Sequence, residues 1–407
     1  MKRFYVILSL FTFFAIKSSA QTTYYWVGGA GASGAPAAWN VPEKWNTALD
    51  STGSPRTTPS PTDILIFDGN AQGLSTLTTK TVFLSAAKDS IAQLKVQNGV
   101  AITVVTTVAG NTELAGSCTF GTTVGATVVP VYGTGISSIF KLGDYVSSST
   151  TLLNMSQVIG INGPDTIYLA SENITSTVTT LYKATTIYIS GNPGLTIDAT
   201  STWGFGLGSS VTMNSLVLYI NPGATANIYG KFNYNARGAG GRLIAGTPNS
   251  VFFKSGSICT AATNQAAASP NPQPFVFGHP VGSGSTAAGT FTFSTAGEGV
   301  VFEAGATYSY PQAGGTGGSA YKTNSPFGCT ILTGSTFPFT PAVKFNSGSN
   351  YNIGYANCYP PYFYSCNVTN YAPQNAASFG NVTFTGNIPS KSATISLFFL
   401  PKKCDTL

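Results

Sequence analysis

At 407 residues the chain is long enough for one large core or for two domains. Charged side chains make up only 8%, against roughly 25% in an ordinary globular chain. Apolar residues reach 43% and aromatic residues 12%, which excludes an unfolded polar chain. The formal net charge is +6. Without Lys2, Arg3 and Lys17 it falls to about +3, too little and too scattered for a nucleic-acid partner.

Residues 1–20 read as a cleaved secretory signal peptide. Lys2 and Arg3 form a basic start, Phe4 to Ile16 is an apolar run too short to span a bilayer, and Ser18-Ser19-Ala20 are small residues before Gln21. No later stretch is unbroken and apolar over a spanning length, so the mature chain is expected to have no membrane span. Its expected place is extracellular or on the outer cell surface, which makes disulfides permissible.

Residues 21–70 differ from the rest of the chain. They hold Trp26, Trp39 and Trp45, three of the four tryptophans. Tyr24-Tyr25-Trp26-Val27-Gly28-Gly29 reads as a strand entering a turn, and Ile64-Leu65-Ile66-Phe67-Asp68-Gly69 as another. This stretch is expected to be a Trp-rich capping module. A stack of strands needs its open end covered. The other role for the indoles is a platform on which sugars stack.

Residues 71–400 read as short strands separated by turns, with no amphipathic helix of any length. Asp165-Thr166-Ile167-Tyr168-Leu169 and Thr186-Ile187-Tyr188-Ile189 alternate cleanly. A nine-residue pattern recurs: two alternating apolar residues, a Gly, then an apolar residue three positions on. Val300, Phe302, Gly305 and Tyr308 fill it, as do Val343, Phe345, Gly348 and Tyr351. Val251, Phe253, Gly256 and Cys259 fill it too, and so do Leu94, Val96, Gly99 and Ile102. A weaker copy is Leu218, Ile220, Gly223 and Ala226. Alternation marks a half-buried strand, and Gly allows the positive φ of a corner. Strand, corner and strand make part of one coil of a β-solenoid, which must stack to bury its apolar face. On stacking, Val96, Ile220, Phe253, Phe302 and Phe345 are expected in equivalent interior slots. The fold class is therefore all-β, a right-handed parallel β-solenoid with a Trp-rich N-terminal cap. The uneven spacing of the copies leaves a β-sandwich as the alternative.

The tryptophan segment and the repeats together resemble a known group. Trp26-Val27-Gly28-Gly29, Trp39-Asn40, Trp45-Asn46 and Pro61-Thr62-Asp63-Ile64-Leu65-Ile66-Phe67-Asp68 look like the N-terminal module of large secreted Bacteroidetes β-solenoid proteins. Leu94-Lys95-Val96-Gln97-Asn98-Gly99-Val100 and Phe345-Asn346-Ser347-Gly348-Ser349-Asn350-Tyr351 are similar to their coils. One departure is that Trp39 precedes Asn40, where that group has Asn before Trp. The resemblance implies an exported, adhesin-like surface protein, often a client of the type IX secretion machinery, and carries no catalytic residue over.

Residues 262–286 and 309–328, rich in Pro, Gly and Ala, read as loops projecting from the coils. The tail, residues 401–407, follows an apolar run and ends abruptly at Pro401-Lys402-Lys403-Cys404, a pattern expected of a truncated chain.

The chemistry expected from these residues is binding, not catalysis. Of the six cysteines, Cys358 and Cys366 make the best disulfide pair. They bracket Tyr359, Pro360, Pro361, Tyr362, Phe363, Tyr364 and Ser365. A closed loop with two prolines loses little entropy on binding. Tyr359, Tyr362, Phe363 and Tyr364 are thus the candidate ligand-binding residues, for polysaccharide or cell-surface glycan; the alternative is a loop folded onto the core. Cys259 falls in an interior slot and is expected to fill space. The single histidine, His279, excludes a zinc site of the usual kind, and no calcium or phosphate loop is present. No metal and no cofactor are expected. Polysaccharide lyases and glycosidases also use β-helices, and they need clustered carboxylates or carboxylates beside Lys or Arg. The thirteen acids here are dispersed. Asp63 and Asp68 lack visible partners, and Arg237 and Arg242 lack adjacent acids. A carbohydrate-active enzyme is the alternative to a non-catalytic structural protein.

Overall fold

The computed structural model describes residues 21–28, 37–72, 74, 80–84, 88–106, 118–121, 128–141, 144–147, 155–170, 180–183, 185–205, 216–235, 242–262, 283–284, 291–292, 299–311, 343–354 and 381–385. The protein is all-β, and most of its strands pair in parallel. Helix is confined, among the described residues, to a 3-10 turn at Pro42–Lys44 and one turn at Ile136–Ile139.

Three parallel sheets organise the chain. Among the described residues sheet I has nine strands, sheet II nine and sheet III four, and none of the three closes on itself. The chain visits them in a fixed order. Lys88–Ile91 lies in sheet III, Gln93–Gln97 in sheet I and Ala101–Thr106 in sheet II. Thr186–Ile189, Leu195–Ile197 and Thr202–Phe205 repeat that order, as do Val217–Ile220, Ala226–Ile228 and Lys231–Asn235. Arg242–Ala245, Val251–Phe253 and Ile258–Ala262 make a fourth pass. Val300–Phe302 and Val343–Phe345 then extend sheet I, each followed by a strand of sheet II, Thr307–Pro311 and Asn350–Gly354.

Registry puts like residues in rows. In sheet I, Phe67, Val96, Ile197, Ile228, Phe253, Phe302 and Phe345 are successive partners. In sheet II the row is Ile102, Trp203, Phe232, Cys259, Tyr308 and Tyr351. Sheet III contributes Ile187, Leu218 and Leu243. Side chains from all three sheets belong to one continuous buried cluster. Stacked parallel strands place their side chains about 4.8 Å apart, near the thickness of a ring. The Phe302 ring accordingly lies flat against Phe253 at 4.4 Å and against Phe345 at 4.7 Å.

Four of the five expected slots hold: Val96, Phe253, Phe302 and Phe345 share one row. Ile220 does not. It pairs with Ile189 and Ala245 in sheet III. Its copy of the pattern turns from sheet III to sheet I, with Gly223 at φ +85°, whereas the others turn from sheet I to sheet II. Gly99, Gly256, Gly305 and Gly348 occupy that second corner at φ +73° to +83°. The corners themselves form a ladder: the Gly256 N–H donates to Gly305 O at 3.0 Å and the Gly305 N–H to Gly348 O at 2.8 Å.

An antiparallel sheet interrupts the passes. Six described strands between Thr119 and Lys183 pair antiparallel as sheet IV. Val131, Phe140, Val146, Val158, Ile167, Leu169 and Leu181 form a separate core there. The alternation of the sequence predicts coils without a break through this region, and the antiparallel pairing departs from that expectation.

At the other end, Thr23–Trp26 and Trp45–Asn46 extend sheet I, the latter antiparallel, and Ala37–Ala38 extends sheet II. Trp26, Trp39 and Trp45 are fully buried around Phe67, with ring centroids 5.0 to 5.7 Å apart.

Candidate functional site

Among the described residues, buried or half-buried ionisable side chains gather in three places, apart from a more exposed Lys254–Glu303 pair at 2.7 Å. The first lies under the tryptophans. Asp89 pairs with Ile187 in sheet III, so it occupies the row that elsewhere holds Ile187, Leu218 and Leu243. A carboxylate at an interior position demands compensation. Arg56 supplies it with two parallel hydrogen bonds, Nη1 to Oδ2 at 2.7 Å and Nη2 to Oδ1 at 3.0 Å. Trp39 donates its indole N–H to the same Oδ2 at 2.8 Å. Arg56 Nε reaches Asp63 at 2.7 Å, and Asp63 also accepts the Ser60 N–H. Arg56 and Asp63 are each 3% exposed. Burial works against the guanidinium's charge, but the Asp89 and Asp63 carboxylates outweigh it and hold the Arg56 pKa above its ordinary value.

The second place is the corner after sheet I. Asp68 accepts from the Asn70 N–H, from Gln97 Nε2 at 2.7 Å and from Asn98 Nδ2 at 2.8 Å. One pass further on, Asp198 accepts the Asn98 N–H and both the hydroxyl and the N–H of Thr200. Partial burial opposes its ionisation. The hydrogen bonds from Ser201, Asn98 and Thr200 win, and its pKa lies below the usual carboxylate range.

The third is a joint between sheet IV and the outer face of sheet III. Asp144 and Lys183 meet there at 3.0 Å, with side chains 1% and 4% exposed. Asp144 also accepts the Lys141 N–H at 2.7 Å and the Tyr188 hydroxyl at 3.3 Å. Tyr188 packs on Tyr219, ring centroids 5.6 Å apart, in a buried patch with Val217 and Ile244. Burial pushes the Asp144 carboxyl upward, and the Lys183 charge only partly offsets this. Burial and the Asp144 charge also push the Tyr219 phenol up.

The expected site residues fare unequally. Asp63 has its partner in Arg56, and Asp68 in Gln97 and Asn98; both are structural ties, and they lie in different clusters. Sequence spacing does not reveal Arg56, because a lone Arg between Pro55 and Thr57 carries no pattern. Cys259 lies buried in the row of sheet II with no disulfide. The candidate loop with Cys358, Tyr359, Tyr362, Phe363, Tyr364 and Cys366 lies outside the described residues, as do His279 and Arg237. No three His, Cys, Asp or Glu side chains among the described residues converge as metal ligands. No described helix is long and apolar enough to cross a membrane.

Comparison with protein-family models and with curated proteins finds no match for the chain.

Proposed function

We propose that the chain is a secreted or cell-surface structural protein, adhesin-like and non-catalytic. Its frame is a right-handed parallel β-solenoid plugged at the N-terminus by the tryptophan module. Loops between its coils hold polysaccharide or cell-surface glycan. Residues 1–20 direct export and are removed.

The observation that carries this reading is the fixed order of visits to sheets III, I and II around one core. Parallel strands joined in that way wind right-handed in nearly all proteins. The burial of Trp26, Trp39 and Trp45 favours a plug over a sugar platform, since a buried indole offers no face to a ligand. The use of the buried carboxylates speaks for scaffold as well. Asp63 and Asp89 hold Arg56, Asp68 ties a corner, and Asp144 holds Lys183. A glycosidase needs two carboxyl groups flanking a substrate.

Binding of residues 21–400 to an array of glycans tests the proposal, with a second protein lacking residues 358–366. Retained glycans that are lost on deletion are the expected result. Binding that survives deletion moves the site off the loop. No binding to any glycan overturns the ligand class. Sugar products released from a bound polysaccharide replace the reading with an enzyme.

A further inference from the structure

The joint between sheets III and IV has the makings of a chemical reaction. Lys183 Nζ and Asp144 Oδ2 lie 3.0 Å apart and buried, because Tyr182–Lys183 pairs directly with Tyr145–Ser147, the strand that Asp144 leads into, so neither side chain needs ordering before they meet. Such pre-arranged groups react as if at very high concentration. The partners of the carboxylate are divided between its two oxygens. Oδ2 takes Lys183 Nζ and the Lys141 N–H, while Oδ1 takes the Tyr188 hydroxyl. The Lys141 and Lys183 ammonium groups also stand 4.3 Å and 5.0 Å from the centroid of the Tyr188 ring. Two opposite charges are thus kept out of water, which is costly even when they are paired. Burial favours the neutral acid form of Asp144.

We propose that Lys183 and Asp144 become joined by an isopeptide bond between Lys183 Nζ and Asp144 Cγ. One proton first passes from the ammonium to Oδ2, leaving a neutral amine and a neutral acid. The amine lone pair then attacks Cγ. Charge gathers on Oδ1, where the Tyr188 O–H donates to it, as a donor does in an oxyanion hole. The Cγ–Oδ2 bond breaks, and the hydroxyl leaves with an amine proton as one molecule of water. Oδ1 becomes the amide oxygen and keeps Tyr188 as its donor. No oxidant, metal or cofactor enters the balance. The product replaces a buried ion pair with a neutral amide, and exclusion of water disfavours the reverse reaction. The bond fastens sheet IV to itself beneath Tyr188, at the contact with sheet III.

Mass spectrometry of the full chain after tryptic digestion tests this directly. The expected result is a branched peptide joining the Asp144 and Lys183 segments, lighter by one water than its two parts, with no cleavage after Lys183. Asp144→Ala and Lys183→Met are expected to lose that species. Tyr188→Phe is expected to slow its appearance at least tenfold during incubation of freshly purified protein at neutral pH. Two separate, full-mass peptides from wild-type protein after prolonged incubation overturn the proposal. So does a branch at Lys141. Because the decisive reading is on the wild-type chain, a variant that fails to fold does not blunt it.

Discussion

Asp89 stands where the later passes carry Ile187, Leu218 and Leu243, and the Arg56 fork explains how an anion is tolerated there. The pair commits both residues, because a buried charge that loses its partner is strongly destabilising. Arg56→Met is expected to cost about 3–5 kcal/mol, since it strands Asp89 and Asp63 together. Arg56→Lys should recover little of that, because an ammonium cannot span both oxygens of Asp89 and reach Asp63. The double variant Arg56→Met, Asp89→Leu should recover much of it by restoring an aliphatic row. Urea unfolding followed by tryptophan fluorescence reads all three, as Trp39 touches the cluster. Equal losses for the single and double variants would show that the cluster adds nothing specific.

Asp198 gives a pH signature of the opposite kind of site, half-buried and neutral in its surroundings. Its folded carboxyl lies below the ordinary range because of the Ser201, Asn98 and Thr200 donors, against the opposing effect of burial. A depressed carboxyl contributes stability above its unfolded pKa and loses it as pH falls through the folded value. The stability gap between wild type and Asp198→Asn should therefore be widest near neutrality and shrink once pH drops below about 4. Unfolding midpoints measured across that range test the sign. A gap that widens in acid contradicts it.

At the scale of elements, the row in sheet I is the working unit. Phe302 is sandwiched between Phe253 and Phe345 with both rings parallel to its own. Removing it opens a void whose lining belongs to three passes. Phe302→Ala should cost about 3–5 kcal/mol, and Phe302→Leu clearly less. Hydrogen exchange should find the loss concentrated in Val251–Phe253, Val300–Phe302 and Val343–Phe345, because each strand meets only its neighbours. Uniform loss across all the sheets would instead mean one indivisible cooperative unit.

The same rows show what is legible in the residues and what is not. Apolar alternation followed by Gly identifies the corner at Gly99, Gly256, Gly305 and Gly348, since an L side chain at φ near +80° is strained. It cannot say which corner. Gly223 satisfies the pattern equally well between sheets III and I, so the pattern alone puts Ile220 in the wrong row. Period-2 alternation is equally blind to strand direction. Asp165 to Leu169 and Thr186 to Ile189 read alike, yet Thr166–Ala170 pairs antiparallel and Thr186–Ile189 parallel. Alternation reports how side chains divide between two faces, not the direction of the partner strand, and here both faces are buried in each strand. Arg56 and Lys183 are invisible for a different reason: Asp89 and Asp144 lie more than thirty residues away in sequence, and only the fold brings each pair together.

For the whole molecule, sheet IV accounts for the widest gap between successive passes, from Gln93–Gln97 to Leu195–Ile197. It is an antiparallel unit with its own core, spliced between two neighbouring passes. Around it the parallel registry continues undisturbed: Leu94 pairs with Leu195 and Ile102 with Trp203.

That pairing of Leu94 with Leu195 also sets a timetable. Most later passes wait for a few tens of residues; this one waits for about one hundred, which adds about 1 kcal/mol of loop-closure entropy unless sheet IV folds first and draws the ends together. Until Leu195–Ile197 arrives, the strands Gln93–Gln97 and Ala101–Thr106 each present an unpaired edge, the condition under which chains pair with one another. As the polypeptide emerges from its N-terminus, its most vulnerable interval comes early. It ends when the second pass closes over the first.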